Sequence, residues 1–239
     1  MNTMCAKLVL FLAFLVCLSA GVANADENDS FPNLTVDAKT LRVQDKAEEI
    51  YERTEYERAF FIYRNELVPI GDKYAQYMVG FMYLTGKGVE EDRVAGSAWY
   101  RLAAERGTKE FVAARDRLME LLDEEQTAAS DRLFVELRKQ YGDLVLMLQA
   151  MRREQELLRS RTGSRVGSSD TMPMTIISAD RGGTTTTGSD YYGQIERRMK
   201  ARLEYIERRT NIEISDSNVG ALDLDTIERQ VTELLSRVD

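Results

Sequence analysis

The chain has 239 residues, with 40 acidic residues against 32 lysines and arginines, and it contains no histidine. The lack of histidine excludes a Ser-His-Asp triad and a Cys-His pair, because neither would have its base. A net charge of −8 argues against a nucleic-acid binder, whose affinity comes mostly from neutralising phosphates. Both cysteines, Cys5 and Cys17, lie near the start, so zinc bound through Cys or His is not expected elsewhere.

Residues 1–25 have the pattern of a signal peptide. Lys7 supplies a charged start, the apolar run Leu8–Leu18 follows, and Ala23 and Ala25 have the small-x-small spacing of a signal-peptidase site. The run is shorter than the roughly 20 residues that cross a bilayer, which disfavours the alternative of an uncleaved anchor. We predict cleavage after Ala25 and an exported, most simply periplasmic, protein that folds without disulfides.

The rest of the chain divides by composition into four parts. Residues 26–44 are polar and are predicted to form an N-terminal arm. Residues 45–160 are rich in Ala, Leu, Glu, Arg and Met and predict a helical repeat domain. Residues 161–190 are rich in Ser, Thr and Gly and predict a flexible linker. Residues 191–239 regain helical spacing and predict a C-terminal helical segment.

A repeat of 36 residues lies inside the helical domain. Shifted by that period, Ala59 falls on Ala95, Tyr63 on Trp99, and Gly71 on Gly107. A fixed period of this size indicates stacked helical pairs.

The helices, turn and caps of one complete repeat unit can be assigned from its residues. A first helix is predicted at 75–84, followed by a turn at Gly86 and Gly88, where glycine tolerates positive φ. Asp92 is a suitable N-cap for the second helix, and Gly107 a suitable end for it. The single tryptophan, Trp99, is expected to fill the space between the two helices.

These residues resemble the Sel-one-like repeat family, a relative of the tetratricopeptide proteins. The matching positions are Ala75, Gly80, Tyr83, Gly86, Gly88, Val89, Asp92, Ala95, Trp99, Ala103, Ala104 and Gly107. The resemblance covers about residues 45–110 and fails afterwards, since Phe111 stands where an alanine belongs. It implies an all-α fold: a short αα-repeat solenoid, here with additional C-terminal helices after the linker.

Further helices are needed to close so short an array, because repeat arrays usually have three or more units and atypical ends. Helical spacing predicts them at about 108–122, 125–140 and 143–159. In the C-terminal segment, a helix at 191–209 precedes one at 226–237, which Asp225 and Glu228 are expected to cap.

An aromatic stripe on the first repeat helix is the candidate binding surface. It consists of Tyr74, Tyr77, Phe81 and Leu84, which share one helix face. The resemblance implies that this helix lines the concave side of the solenoid, where a partner peptide would lie. Core packing of the stripe on Phe60, Phe61 and Tyr63 is the favoured interpretation, because aromatic stripes at helical spacing are usually buried.

Charged runs have simpler explanations than catalysis. The acidic runs at 90–92 and 123–125 each precede a helix, where carboxylates stabilise the helix dipole. The helix at 191–209 is basic, which favours a solvated face over a lipid or acidic-partner site. We predict no catalytic residue, no metal site and no cofactor.

The resemblance implies protein–protein interaction, and we therefore expect a non-catalytic scaffold or adaptor that binds another protein of the bacterial envelope. Because two helices alone have little core, the segment 191–238 is expected to dock on the solenoid or on a partner, and self-association is one form that this could take. One alternative is recognition of peptidoglycan fragments, with Trp99 and tyrosines as stacking surfaces. A carboxylate-based hydrolase is another, and it requires two acidic residues of unequal pKa in one cleft.

Overall fold

The computed structural model describes residues 38–162, 173–178, 182–214 and 219–236. The predicted signal peptide lies outside these residues. The helices are α1 (Ala38–Glu52), α2 (Tyr56–Ile62), α3 (Lys73–Thr85), α4 (Arg93–Ala103), α5 (Lys109–Met119), α6 (Glu124–Tyr141), α7 (Asp143–Thr162), α8 (Gly188–Thr210) and α9 (Leu224–Leu235). Among the described residues, no helix combines the length and apolar character needed to span a membrane.

The fold is the predicted all-α repeat solenoid. Helices α3 and α4 fold back on each other, α6 packs along α4, and α1 and α2 precede this pair. Their shared core contains Trp99, which is 2% exposed, as predicted. Burial of this indole and its aliphatic neighbours is the main source of stability of the repeat.

Two glycines let α3 and α4 approach closely. A Cβ atom on Gly80 would lie 2.6 Å from the Tyr100 ring, and one on Gly96 would lie 2.6 Å from the Leu84 side chain. Both positions are therefore restricted to glycine by packing rather than by backbone conformation.

The turn between α3 and α4 has the predicted chemistry. Gly86 and Gly88 have φ values of 63° and 74°, which are strained for residues with a Cβ atom. The N–H of Ala95 donates to Asp92 at 2.9 Å, which caps α4. Val89 packs on the core beneath the turn.

The preceding half-unit follows the same plan. Tyr63 and Trp99 are both buried, as are Ala59 and Ala95. Gly71 and Gly107, with φ values of 79° and 75°, follow 3-10 turns at Val68–Ile70 and Ala104–Arg106. The half-unit differs in one respect, because a π turn at Tyr63–Leu67 replaces regular helix.

The boundary of the predicted N-terminal arm, 26–44, is wrong at its C-terminal end. Helix α1 begins at Ala38. Its residue Val43 packs on the core of the repeat, and Gln44 donates to Asp72 at 2.5 Å. These contacts hold residues 38–44 in a helix, although their composition alone predicts a loose chain.

The predicted linker, 161–190, contains regular structure. Strands β1 (Pro173–Ser178) and β2 (Gly182–Thr187) pair antiparallel in a hairpin, with Pro173 opposite Thr187. Threonine and isoleucine are β-branched and favour extended backbone, which the Ser/Thr/Gly content of the segment obscured. Helix α8 follows directly, capped by Thr187.

The C-terminal helices dock on the repeat domain. Arg198 donates to Glu154 of α7 at 2.9 Å, and Arg202, only 4% exposed, pairs with the same carboxylate. Gln155 donates to the Leu222 carbonyl at 2.8 Å. The expectation that this basic helix has a purely solvated face is therefore wrong for Arg198 and Arg202, because α7 offers them a carboxylate.

The cap of the last helix is not at the predicted residue. Asp223 accepts from the Thr226 N–H at 3.2 Å, so α9 begins at Leu224. Asp225 and Glu228 instead pair with Arg152 of α7. These two carboxylates form ion pairs between α9 and α7, and neither of them is the N-cap of α9.

Replacing Gly88 and Gly107 by alanine separates backbone strain from steric conflict. Both glycines have positive φ, but a Cβ atom on Gly88 would lie 2.4 Å from the Tyr56 backbone, whereas one on Gly107 would meet nothing within 4 Å. We expect Gly107→Ala to lower the free energy of unfolding by about 1 kcal/mol and Gly88→Ala by more than about 2 kcal/mol. Urea unfolding checks this, and equal losses would contradict the close approach of the turn to α2.

Candidate functional site

The predicted binding residues Tyr74, Tyr77 and Phe81 lie on α3, and each is half-buried. The Tyr74 ring meets Tyr63 edge-on, with centroids 6.4 Å apart. The Tyr77 ring stacks on Tyr100 at 4.7 Å. One side of the stripe thus belongs to the core, and the other reaches the surface.

The stripe packs on only some of the residues expected to cover it. Tyr63 lies in the core beneath Tyr74, whereas Phe61 is 59% exposed. Phe111, the residue that departs from the repeat pattern, stacks on Tyr77 at 5.3 Å. The binding role of Tyr74, Tyr77 and Phe81 stays a prediction.

The tyrosines of this region act as neutral phenols. Burial raises the pKa of Tyr63, Tyr74, Tyr77 and Tyr100 above its ordinary value. Tyr77 and Tyr100 are also hydrogen-bonded to each other. Phenols in this state donate and accept hydrogen bonds but do not supply charge.

Carboxylates surround the N-terminal end of the stripe. Partial burial raises the pKa of Glu48, and the nearby carboxylates of Asp45, Glu52 and Asp72 raise it further, against a hydrogen bond with Tyr74. Asp72 is engaged, since it accepts from the Ala75 N–H at 3.0 Å and from Gln44. We call the surface formed by Gln44, Asp45, Glu48, Glu52, Asp72 and Tyr74 the α1–α3 face.

Tyr63 has a buried hydroxyl in the core of the repeat. Tyr63 is 1% exposed, and its hydroxyl has no hydrogen-bond partner among the described residues. The polar groups that act on it electrostatically include Tyr74, Glu48 and Asp72. Buried hydroxyls without a partner are uncommon and costly, so this one needs an explanation.

Lys87 lies beside Phe81, at the C-terminal end of the stripe. Its amine donates to the Tyr51 hydroxyl at 2.9 Å and lies 4.9 Å from the Tyr56 ring centroid and 5.6 Å from that of Phe81. Desolvation lowers the pKa of Lys87, but its tyrosine contacts outweigh this and raise it overall. Lys87 is thus a charged residue that fixes the turn against α1 and α2.

A buried ion cluster joins the repeat to α7. The Lys73 amine, on a side chain 6% exposed, donates to Gln76 at 3.1 Å, to the Leu102 carbonyl at 3.0 Å and to Glu105 at 2.9 Å. It also lies 3.1 Å from a carboxylate oxygen of Asp143, which is 2% exposed. No sequence pattern indicates this cluster, because its members are far apart along the chain.

Arg106 completes the cluster with two hydrogen bonds of 2.8 Å to Asp143. Burial raises the pKa of Asp143, but the hydrogen bonds and charges of Arg106 and Lys73 outweigh it and hold that pKa below its ordinary value. Every charge in the cluster is paired and hydrogen-bonded. The arrangement therefore suits structural anchoring rather than proton transfer.

The other acidic runs begin helices, as predicted. Asp92 caps α4, and Asp123 forms a capping box with Gln126 at the start of α6. Asp92 also borders an open cleft of about 620 Å³ that includes Glu90 and Glu91. In the part of the chain that the structure describes, no group of three or more acidic or cysteine residues is placed to hold a metal ion.

The position of Trp99 bears on glycan recognition. The indole lies in the core, with the Arg64 guanidinium 4.9 Å from its ring centroid and the Tyr141 ring at 5.9 Å. A ring enclosed in this way cannot stack on a sugar, so the expectation that Trp99 contributes to peptidoglycan binding is wrong.

In the comparison with known proteins, one family model matches part of the chain. Residues 73–108 match the model of the Sel1 repeat. These bounds begin at Lys73, the first residue of α3, and end just after Gly107. No curated protein and no solved structure matches the chain.

Lys73→Met tests the role of the buried cluster. The variant keeps most of the side-chain volume but leaves Glu105 and Asp143 without the amine, and breaking a buried ion pair in this way costs about 3–5 kcal/mol. We expect a loss of that size in the free energy of unfolding, measured with urea.

Lys139→Met is the matched control, because Lys139 pairs with Glu136 at the surface at 3.4 Å. Removal of such a pair changes stability by less than about 1 kcal/mol. Similar losses in the two variants would show that Lys73 does not anchor the fold.

Proposed function

We propose that this chain, in which residues 73–108 form a Sel1 repeat, is an exported, non-catalytic adaptor that binds another protein of the bacterial envelope. The observation that carries the proposal is the repeat itself, since Sel1 repeats generally mediate protein–protein interactions. The first repeat helix, α3, supplies the contact surface with Tyr74, Tyr77 and Phe81.

The arrangement of the chain supports this surface as the contact region. Helix α6 packs along α4, so the second repeat helix faces its neighbours, and α7 carries the C-terminal helices. The aromatic residues of α3 remain half-buried. Tyrosine at such a position offers apolar area together with a polar tip, a combination enriched where proteins bind one another.

The chemistry of the charged groups favours a non-catalytic protein. Three of the most buried acidic residues, Asp143, Glu154 and Glu105, are all paired with lysine or arginine side chains. Nearer the surface, Asp72, Asp92 and Asp123 serve as helix caps. A hydrolase would need one raised and one lowered carboxyl pKa within reach of a common substrate.

Site-specific photocrosslinking tests the adaptor proposal. With the full chain in its native cells, a photoreactive residue at Phe81 should capture a defined protein, identified by mass spectrometry. The same residue at Glu120, exposed at the end of α5, is the control and should not capture that protein. Absence of an adduct at Phe81, or the same adduct at both positions, would contradict the proposal.

Export is tested separately by cell fractionation and intact mass. We expect the protein in the periplasmic fraction with Asp26 as its first residue, because the sequence at Ala25 fits signal-peptidase cleavage. A cytoplasmic protein that retains residues 1–25 would contradict export and leave the adaptor proposal standing.

A further inference from the structure

We propose that strand β1 pairs antiparallel with the β1 strand of a second copy of this chain and so joins two hairpins into one sheet. The strand order of that sheet is β2, β1, β1 of the copy, β2 of the copy. The inference does not depend on the proposed adaptor function. Three features of the molecule support it: the open edge of the hairpin, the composition of its strands and the weakness of a sheet of two strands.

The hairpin leaves one side of β1 without a strand. Strands β1 and β2 form a two-stranded sheet, and within the described ranges β2 is the one element with which β1 makes extensive contact. The backbone N–H and C=O groups of successive residues in a strand point to opposite sides of it. On the side away from β2, strand β1 therefore presents a row of donors and acceptors with which another strand can pair.

The edge of β1 is better suited to pairing than the edge of β2. Strand β2 leads directly into α8, which it contacts and which Thr187 caps. It also begins with two glycines, which weaken strands. Strand β1 instead contains Thr175, Ile176 and Ile177, whose residue types favour extended backbone. In the proposed sheet, the strand with the stronger β preference lies inside and the weaker one lies at the edge.

Strand β1 lacks the features that usually prevent edge pairing. Natural proteins commonly protect an open edge with a charged residue, a bulge or a proline inside the strand. Strand β1 has no charged residue, and its proline, Pro173, stands at the first position, where proline is tolerated. The register runs without a bulge from Pro173 opposite Thr187 to Ser178 opposite Gly182. A regular, uncharged edge of this kind is a template for another strand.

The same features favour a second copy as the occupant. An uncharged strand has no ion pair with which to select a partner of opposite charge. Two β1 strands also bring no like charges opposite each other, although the chain as a whole has a net charge of −8. Antiparallel pairing of identical strands obeys two-fold symmetry, the commonest symmetry of protein dimers.

Pairing of two copies also explains how so small a sheet is stable. An isolated hairpin of two strands is marginal in water, whereas three or more strands with further packing are stable. The proposed pairing adds the two strands of the copy to each hairpin. Since β1 has only six residues, the interface is small, and we expect a weak dimer that dissociates on dilution.

Cysteine crosslinking tests the inference on the chain from Asp26 onward, which contains no cysteine of its own. Single cysteines are introduced at each β1 position from Met174 to Ser178, and Thr184→Cys on β2 is the control. In a two-fold antiparallel pair, one β1 residue lies opposite its own copy, with Cα atoms about 5 Å apart and within disulfide range. The two β2 strands lie three strand spacings apart, about 14 Å, which is out of range.

We expect mild oxidation to link two copies at one β1 position about tenfold faster than at Thr184→Cys, because only that position brings two thiols together. Denaturing gels without reductant measure the rates. No linked dimer at any β1 position would overturn the inference. Equal rates on β1 and β2 would also overturn it, because they would show random collision rather than a fixed pairing.

Lysine substitutions test the same pairing without a covalent link. Ile176→Lys places like charges close together where the two β1 strands meet. Thr184→Lys is the matched control, because Thr184 lies opposite Ile176 in the same hairpin and belongs to the outer strand. We expect Ile176→Lys to weaken the dimer about tenfold and Thr184→Lys to leave its dissociation constant within about twofold.

Sedimentation equilibrium over a concentration series measures these dissociation constants. An unchanged protein that stays monomeric at every concentration would overturn the inference, since the edge would then be open to water or to a different protein. A dimer that both lysine variants weaken equally, or that neither weakens, would overturn it as well, because the copies would then meet through another surface, such as the C-terminal helices.

Discussion

The buried amine of Lys73 is the point at which the repeat meets the helices that follow it. It reaches the end of α4 through Leu102 and Glu105, and the start of α7 through Asp143. An amine removed from water is stable only when its charge and hydrogen bonds are matched. The positions of α3, α4 and α7 are therefore coupled, and a shift of one would leave charges unpaired in the others.

This coupling explains how a single Sel1 repeat is stable. Repeat units ordinarily bury their surfaces against copies of themselves. Here the half-unit at Tyr56–Gly71 covers one side, and α6, which lies outside the matched residues, covers the other. Arg64 links both sides, since it lies 4.9 Å from the Trp99 ring centroid and donates to Tyr141 at 2.9 Å. Apolar contacts with α6, together with these contacts of Arg64, thus take the place of neighbouring repeats.

The repeat was predictable from the sequence because its requirements are local. Positive φ at Gly86 and Gly88, the cap at Asp92 and the burial of Trp99 each follow from a residue type at a fixed position. The hairpin in the predicted linker and the cap at Asp223 were not predictable in this way, because composition and short-range pattern favoured other assignments.

The parts that decide the candidate site depend on the folded chain. The stripe of Tyr74, Tyr77 and Phe81 is visible from helical spacing, but its division between core and surface depends on Phe111 and Tyr100, which reach it only after folding. The spacing of the α1 carboxylates along the sequence does not indicate that they belong to a site. Their proximity to Tyr74 results from the packing of α1 on the repeat, which the hydrogen bond between the side chains at positions 44 and 72 fixes.

Native-state hydrogen exchange of the full chain measures most directly whether the repeat and the C-terminal helices form one cooperative structure. If Lys73 couples them, the slowest amides of α4, α7 and α8 will exchange with the same free energy and respond equally to denaturant. If the amides of α8 exchange through a separate, lower-energy opening while α4 stays protected, the repeat is stable by itself and Lys73 does not couple it to the helices that follow.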